Sequence, residues 1–297
     1  MKASALFLIL SFSLTAFAGE VVHTAGESET TAAATLAALR AYYQVTIPDV
    51  KGDAFVDGAL NFNAGARQYN DFWEKRFKDD FDQPDEYRQA FADGKTLWDK
   101  PFSDGKSFSD CFPDGGRGAA AGYPKVDNHG AVVTFERALN LCLEMHHEQP
   151  LAYDNMKTIG ALSLYARRLS DGARIHIEVK TKAEEAAFNR GKMLYYTRLG
   201  QLGMSCASCH IQQAGKTLRS EELSPVIGQE AHFPVFRPNR ETAQLSVVTL
   251  QVRFQGCQKN VKVAQPFALN SAELNDLEYF HTYLSNGLPL HSGAFRK

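Results

Sequence analysis

Cys206, Cys209 and His210 occur as Cys206-Ala207-Ser208-Cys209-His210. Two thiols separated by two residues, with an imidazole directly after the second, suit covalent attachment of a c-type haem through two thioethers, the histidine giving a nitrogen to the iron. The spacing predicts one covalently bound haem c on Cys206 and Cys209, with His210 as its proximal axial ligand. The other face of the iron needs a donor of its own. All five methionines, at positions 1, 145, 156, 193 and 204, precede the motif, so the downstream methionine of an electron-carrying cytochrome c is missing. Cys257, His232, His281 and His291 compete for that place.

Helices have to bring these donors to one point. Thr181-x-x-Glu184 is a capping box that opens a helix running to about Arg198. Asn270 with Glu273 opens another, which runs to a Gly287 C-cap and carries Leu274, Leu277, Phe280, Tyr283 and Leu284 as a core-facing stripe. Arg174 to Lys180 alternates like a strand and is read as the connection between two halves. Gly-rich Asp114 to Gly122 and Pro-containing Ser224 to Pro238 read as loops. His146 and His147 are neighbours on a helix and so point in different directions, without ligand spacing.

The two halves echo one another. Val132-Val133-Thr134-Phe135 and Val247-Val248-Thr249-Leu250 place their threonines eight residues before Cys142 and Cys257. Leu169-Ser170-Asp171-Gly172 and Leu284-Ser285-Asn286-Gly287 each begin 27 residues after those cysteines, and Phe91-Ala92-Asp93-Gly94-Lys95 has its counterpart in Phe188-Asn189-Arg190-Gly191-Lys192. Three matches in one order predict a tandem duplication. The expected fold is mainly α, two tandem cytochrome c-like domains, with residues 19–174 lacking haem and residues 175–297 binding it.

With Cys206 and Cys209 committed to haem, Cys111, Cys142 and Cys257 remain, an odd number. Three pairings are open. The repeat aligns Cys142 with Cys257 and puts Cys111 near the position of the haem motif, which favours a Cys111–Cys142 disulfide in the copy without haem. A bridge closing a loop of about 31 residues would contribute roughly 3–4 kcal/mol. Cys257 is then the free thiol, in a basic stretch with Arg253, Lys259 and Lys262. Nearby cations and a metal stabilise thiolate, so these surroundings favour a reactive sulfur over an inert buried one.

Lys2, an apolar stretch from Ala3 to Phe17 and an Ala16-Phe17-Ala18 site read as a secretory signal peptide, residues 1–18, cleaved after Ala18. The stretch is short for a bilayer span, and no later segment reaches the run of about 20 apolar residues that crossing needs. Haem attachment and a disulfide both suit an oxidising compartment, so the expected location is the bacterial periplasm. The formal charge of −2 carries no basic excess of the kind that nucleic-acid binders show.

Gly203-Met204-Ser205-Cys206-Ala207-Ser208-Cys209-His210, Leu223-Ser224-Pro225-Val226-Ile227-Gly228-Gln229, Arg253-Phe254-Gln255-Gly256-Cys257, and Asn275-Asp276-Leu277-Glu278-Tyr279-Phe280 with Ser285-Asn286-Gly287-Leu288-Pro289 together closely resemble the SoxA family. Its members are the catalytic subunits of the SoxAX cytochromes of bacterial thiosulfate oxidation. The resemblance implies an L-cysteine S-thiosulfotransferase, which joins thiosulfate oxidatively to a cysteine of a carrier protein, SoxY of SoxYZ. Two electrons leave, through the small cytochrome subunit SoxX. It also implies that His210 and Cys257 are the axial ligands, that Cys257 carried as a persulfide is the active-site sulfur, and that Arg253 binds the substrate. Some members carry a second haem in the first domain; this chain has no CxxCH there and resembles the single-haem type. Two rival functions share the haem motif. A plain electron-transfer cytochrome would leave Cys257 inert, and a thiosulfate dehydrogenase making tetrathionate would need no carrier.

Overall fold

The computed structural model describes residues 24–56, 85–218, 221–238 and 244–296. The predicted signal peptide, residues 1–18, lies outside the described residues. In chain order the elements are α1 (Ala32–Thr46), α2 (Asp85–Asp99), α3 (Phe108–Cys111), β1 (Lys125–Val126), β2 (Val132–Val133), α4 (Phe135–Met145) and α5 (Ala161–Arg168), which is entered through a π-helical turn at Met156–Gly160. There follow α6 (Lys182–Tyr196), β3 (Thr217–Leu218), β4 (Glu221–Glu222), β5 (Val235–Pro238), β6 (Leu245–Val248), α7 (Leu250–Asn260) and α8 (Ala272–Tyr283). The strands form three separate antiparallel pairs, β1 with β2, β3 with β4 and β5 with β6, so helices build the core.

The duplication in the sequence is a duplication of contacts. Helices α4 and α7 are each 11 residues long, start after the N-caps Thr134 and Thr249, and carry Cys142 and Cys257 at the same position. In the first half α2 crosses α5 at Gly94, where a Cβ would stand 2.1 Å from the Ala161 carbonyl oxygen and 2.8 Å from Tyr165 Cβ. In the second half α6 crosses α8 at Gly191, where a Cβ would stand 2.0 Å from the Asp276 carbonyl oxygen and 2.8 Å from Phe280 Cβ. The repeated pentapeptides therefore mark a glycine that lets two backbones touch. The Gly191→Ala variant is expected to lose about 3 kcal/mol, because the obstacle is backbone and cannot rotate away. Thermal unfolding of the holoprotein checks this, and an unchanged midpoint would show that the helices separate at little cost.

Local chemistry explains most boundaries. Thr181 Oγ1 accepts from Glu184 N at 3.2 Å and Glu184 Oε2 from Thr181 N at 2.8 Å, the reciprocal pair that starts α6. The helix ends at Tyr196 rather than near Arg198, since Thr197 is already extended. Ser271, not Asn270, caps α8 by accepting from Leu274 N; Asn270 takes φ +58 and turns the chain just before it. Gly287 is not the C-cap either. Helix α8 stops at Tyr283, and Gly287, at φ +86, lies beyond it and gives its N–H to Ile175 O at 2.8 Å. Leu274, Leu277, Phe280 and Leu284 are buried as the stripe predicts.

Three other expectations change. Arg174 to Lys180 buries Ile175 and Ile177 on one side, but forms only a single bridge, Arg174 to Pro289. Ile177 pairs instead with the Asn286 side chain, its N–H on Oδ1 at 2.7 Å and its carbonyl on Nδ2 at 2.8 Å, so an amide stands in for a neighbouring strand. The loop from Ser224 to Pro238 contains a short 3-10 turn at Glu230–His232 and all of β5, and Asp114 to Gly122 contains two such turns. His146 and His147 lie past the end of α4 rather than on it, with His147 at φ +59 and His146 Nδ1 2.6 Å from Asp104 Oδ2.

A disulfide joins Cys111, at the end of α3, to Cys142 in α4, with Cα atoms 5.9 Å apart. Residues 24–56, though first in the chain, lie against the last half. Tyr196 OH donates to Ala25 O at 2.7 Å, Arg40 Nη2 to Asn286 O at 3.0 Å, and Arg174 Nη1 pairs with Asp53 Oδ1 at 2.8 Å. Among the described residues no helix is long and apolar enough to cross a membrane.

Candidate functional site

After α6 the chain makes a tight turn that ends in the Cys206–His210 segment. Leu199 bridges Met204, and Gly200 at φ +66 sits so close to α7 that a Cβ would stand 2.1 Å from Val261 O. Gln201 N and Leu202 N donate to Lys262 O and Val261 O at 3.2 and 3.3 Å. These bonds use carbonyls just past the end of α7, where helices leave their acceptors unsatisfied. The loop bearing Cys206 and Cys209 is thereby docked on the helix bearing Cys257. Ser205 and Ser208 then cap each other, each backbone N–H giving to the other's Oγ at 3.1 Å, and start the turn that carries Cys209 and His210.

Cys206, Cys209, His210, Arg253 and Cys257 are all half-buried around the buried Ala207 and Ile211. The two motif cysteines are free of disulfides. Burial, and next the charge of Cys257, push the Cys206 thiol up to about 12 and raise that of Cys209 as well. Arg253 adds positive potential at both Cys209 and His210. It lies one turn before Cys257 on the same face of α7. Its Nη1 is folded back over Gly256, 3.8 Å from where a Cβ would be. Lys259 and Lys262 are exposed.

His210 is set up to bind a metal through Nε2. Its Nδ1 lies 2.9 Å from Ser224 O, an acceptor only, so Nδ1 carries the proton and Nε2 the lone pair. Burial lowers its pKa to about 4, so the ring is neutral near pH 7. The backbone around it is held from the far end of the chain: Tyr43 OH of α1 donates to His210 O at 2.5 Å and accepts from Val226 N at 3.2 Å. Gln229 meets the same ring edge, its Nε2 2.8 Å from His210 Nδ1 and its Oε1 2.9 Å from His281 Nε2. The two ends of an amide are isosteric, and the metal-binding tautomer of His210 calls for the carbonyl end at Nδ1. The amide N–H then falls on His281 Nε2, and His281 Nδ1–H faces Glu230 Oε2, 4.0 Å away. Two free thiols, a neutral imidazole with Nε2 available and a further free cysteine, Cys257, whose charge acts on both motif thiols, are a donor set that fits haem c.

The competing histidines are engaged elsewhere. His281 stands behind His210, on the ring edge away from Nε2, and burial lowers its pKa to about 3. His232 gives Nε2 to Val56 O at 2.8 Å and is likewise lowered to about 3 by burial. His291 is exposed, its ring edge-on to His232. Cys111 and Cys142 belong to the disulfide in the first half. Sequence reasoning did not assign Ser224, Gln229 or Tyr43 to the site. Ser224 and Gln229 stand in a segment that carries the resemblance, but Tyr43 had no signal, being 167 residues from its partner.

Comparison with known proteins bears on the fold and the family. The profile of the SoxA/TsdA cytochrome c domain matches residues 93–175 and 190–290, one segment in each half. The L-cysteine S-thiosulfotransferase subunit SoxA of Chlorobaculum tepidum is 38% identical over 88% of this chain and 86% of its own. That of Allochromatium vinosum is 37% identical, over 88% and 89%. The crystal structure of SoxXA from P. pantotrophus superposes with a TM-score of 0.66 at 28% identity, over 76% of this chain and 84% of that one. A doubled, mainly α cytochrome c-like fold, and relatives that align along most of both chains, place this protein in the SoxA family.

Proposed function

We propose that this protein is a haem c sulfur transferase that conjugates thiosulfate to a cysteine of a carrier protein of the SoxYZ kind. The observation that carries the reading is the docking of the Cys206–His210 loop on α7, which gathers Cys257 and Arg253 beside the attachment motif. One haem c would be held by Cys206 and Cys209, with His210 Nε2 and the Cys257 sulfur as donors to its iron. When bound, it supplies a one-electron centre fixed beside that sulfur.

Arg253 binds the substrate. Its planar fork matches sulfonate oxygens and leaves the outer sulfur of thiosulfate facing Cys257. Cys257, as thiol or persulfide, forms a sulfur–sulfur bond to that outer sulfur. The condensation releases one proton and two electrons, because a thiol and a dianion become a thiosulfonate with a single negative charge. The carrier thiolate then attacks the sulfane sulfur and takes over the sulfane-sulfonate group, and the Cys257 sulfur leaves as a thiolate and takes up a proton to regain its starting form, as in thiol–disulfide exchange. The electrons leave through a small cytochrome partner of the SoxX kind. Its site of action is the periplasm, reached by way of the signal sequence at residues 1–18.

The Arg253→Ala variant is expected to lower kcat/KM for thiosulfate about 100-fold, equivalent to roughly 2.7 kcal/mol, while leaving the visible haem spectrum in place. A wild-type kcat/KM would take Arg253 out of the mechanism. Mass analysis of the Cys257 peptide before and after thiosulfate completes the test. Added sulfur that reductant removes supports the transferase, whereas an unmodified thiol throughout returns the protein to simple electron transfer.

A further inference from the structure

Where the two halves meet, one guanidinium faces three carboxylates. Arg167 of α5 is 2% exposed; its Nη1 is 2.9 Å from Glu230 Oε1 and its Nε is 4.0 Å from Glu136 Oε1. Glu278 of α8 feels the same positive charge and the negative charges of Glu136 and Glu230. Glu230 and Glu278 are 0% and 1% exposed. Glu136 Oε1 accepts from Ser163 Oγ at 2.6 Å. Both oxygens of Glu278, Glu230 Oε2, Arg167 Nε and His281 Nδ1 are buried without a hydrogen-bond partner among the described residues.

Three ionised carboxylates and one cation would leave two uncompensated charges in a dry interior, at several kcal/mol each. Buried carboxyls avoid that cost by keeping a proton. Burial accordingly raises Glu278 well above the usual carboxylate range and pushes Glu230 up to about 7. The other groups facing the cluster do not titrate near pH 7. Arg167 stays charged, burial keeps His281 neutral, and burial keeps Tyr195, whose ring lies 6.4 Å from His281, protonated. A continuous contact chain joins the cluster to the proximal ligand, from Glu230 Oε2 to His281 Nδ1 at 4.0 Å, His281 Nε2 to Gln229 at 2.9 Å, and Gln229 to His210 Nδ1 at 2.8 Å.

We propose that the Arg167–Glu136–Glu230–Glu278 cluster is a proton store coupled to the haem: it takes one proton from solvent when the iron at His210 gains an electron, and returns it when the electron leaves. This rests on the reading of Cys206–His210 as a haem c site. The added electron puts one more negative charge at the end of a low-dielectric path, which favours the neutral form of a carboxyl. One O–H bond forms on a cluster carboxylate, and nothing else in the protein changes oxidation state. Glu136 is the port of entry, its side chain 13% exposed against 2% for Arg167 and 0% for Glu230. In turnover the electron comes from sulfur oxidation; in the test it comes from a one-electron chemical reductant.

Spectroelectrochemical titration of the holoprotein from about pH 5 to about pH 9 reads the coupling directly. One proton per electron makes the potential fall by ~59 mV for each tenfold drop in proton concentration, over a window around neutrality. The Glu278→Gln and Glu230→Gln variants should flatten or displace that slope with the haem spectrum unchanged. The redox infrared difference spectrum of the wild type should contain a carboxylic C=O band that shifts in heavy water. A potential independent of pH in the wild type overturns the proposal without touching the haem assignment, which the spectrum reports separately. A slope that persists unchanged in both variants overturns it too, since the proton is then held by another group.

Discussion

Replacing Cys257 with alanine is expected to abolish thiosulfate conjugation, by about four orders of magnitude or more, while the haem stays attached. Cys257 is the nucleophile of the proposed mechanism, and its removal leaves only what binding and positioning contribute, which in enzymes of this kind of chemistry is a small remainder. In the proposed site, attachment depends on Cys206 and Cys209 and ligation on His210 Nε2, none of which the substitution touches. Loss of a sulfur donor should nevertheless alter the visible spectrum and raise the potential, because axial sulfur pushes electron density onto iron. Carrier-dependent activity and the spectrum are read on the same sample. Normal turnover with an altered spectrum would make Cys257 a ligand alone, and normal turnover with a normal spectrum would remove it from the site.

The second large effect is on stability. Arg167→Met is expected to cost about 3–5 kcal/mol, because it strands buried carboxylates without their cation. Its pH dependence has a definite sign. Glu230 and Glu278 have pKa values raised in the folded state, so the stability they allow is full below the ordinary value of 4.5 and is lost as pH rises through the folded value, about 7 for Glu230. Without Arg167 the folded values rise further and the loss deepens. Denaturant unfolding should therefore show a small gap between variant and wild type near pH 5 and a large one near pH 8. Adding Glu230→Gln and Glu278→Gln to the variant should close most of the gap. A gap of one size at all pH values would point to lost packing, such as the contact of the guanidinium with Phe135, rather than stranded charge.

What could be read in advance was what depends on short spacing. The Cys206–His210 segment, the Thr181–Glu184 box and the matched spacings from Thr134 to Cys142 and from Thr249 to Cys257 are local patterns, and each stands in the structure as a local feature. The echo between the Gly94 and Gly191 pentapeptides was visible, but its cause was not, since only the folded chain brings a carbonyl to each glycine. Arg174 to Lys180 looked like a strand because its side chains alternate, yet alternation reports burial and says nothing about the partner, here the Asn286 amide. No local pattern singles out Glu230 and Glu278 as buried; in the fold they face Arg167, more than 60 residues away from Glu230. Gln229, which joins two histidines, differs in no local respect from a glutamine facing water.

The hydroxyl of Tyr43 closes on His210 across 167 residues and on Val226 across 183. Such contacts give the haem half a high contact order, and long loops must close before they return any energy. A fragment beginning after α5 would contain every predicted ligand, yet lack the side chain that fixes the backbone of the proximal one. Cutting the chain at its internal repeat separates Tyr43 from the segment it holds, so the repeat boundary does not divide the protein into self-contained parts.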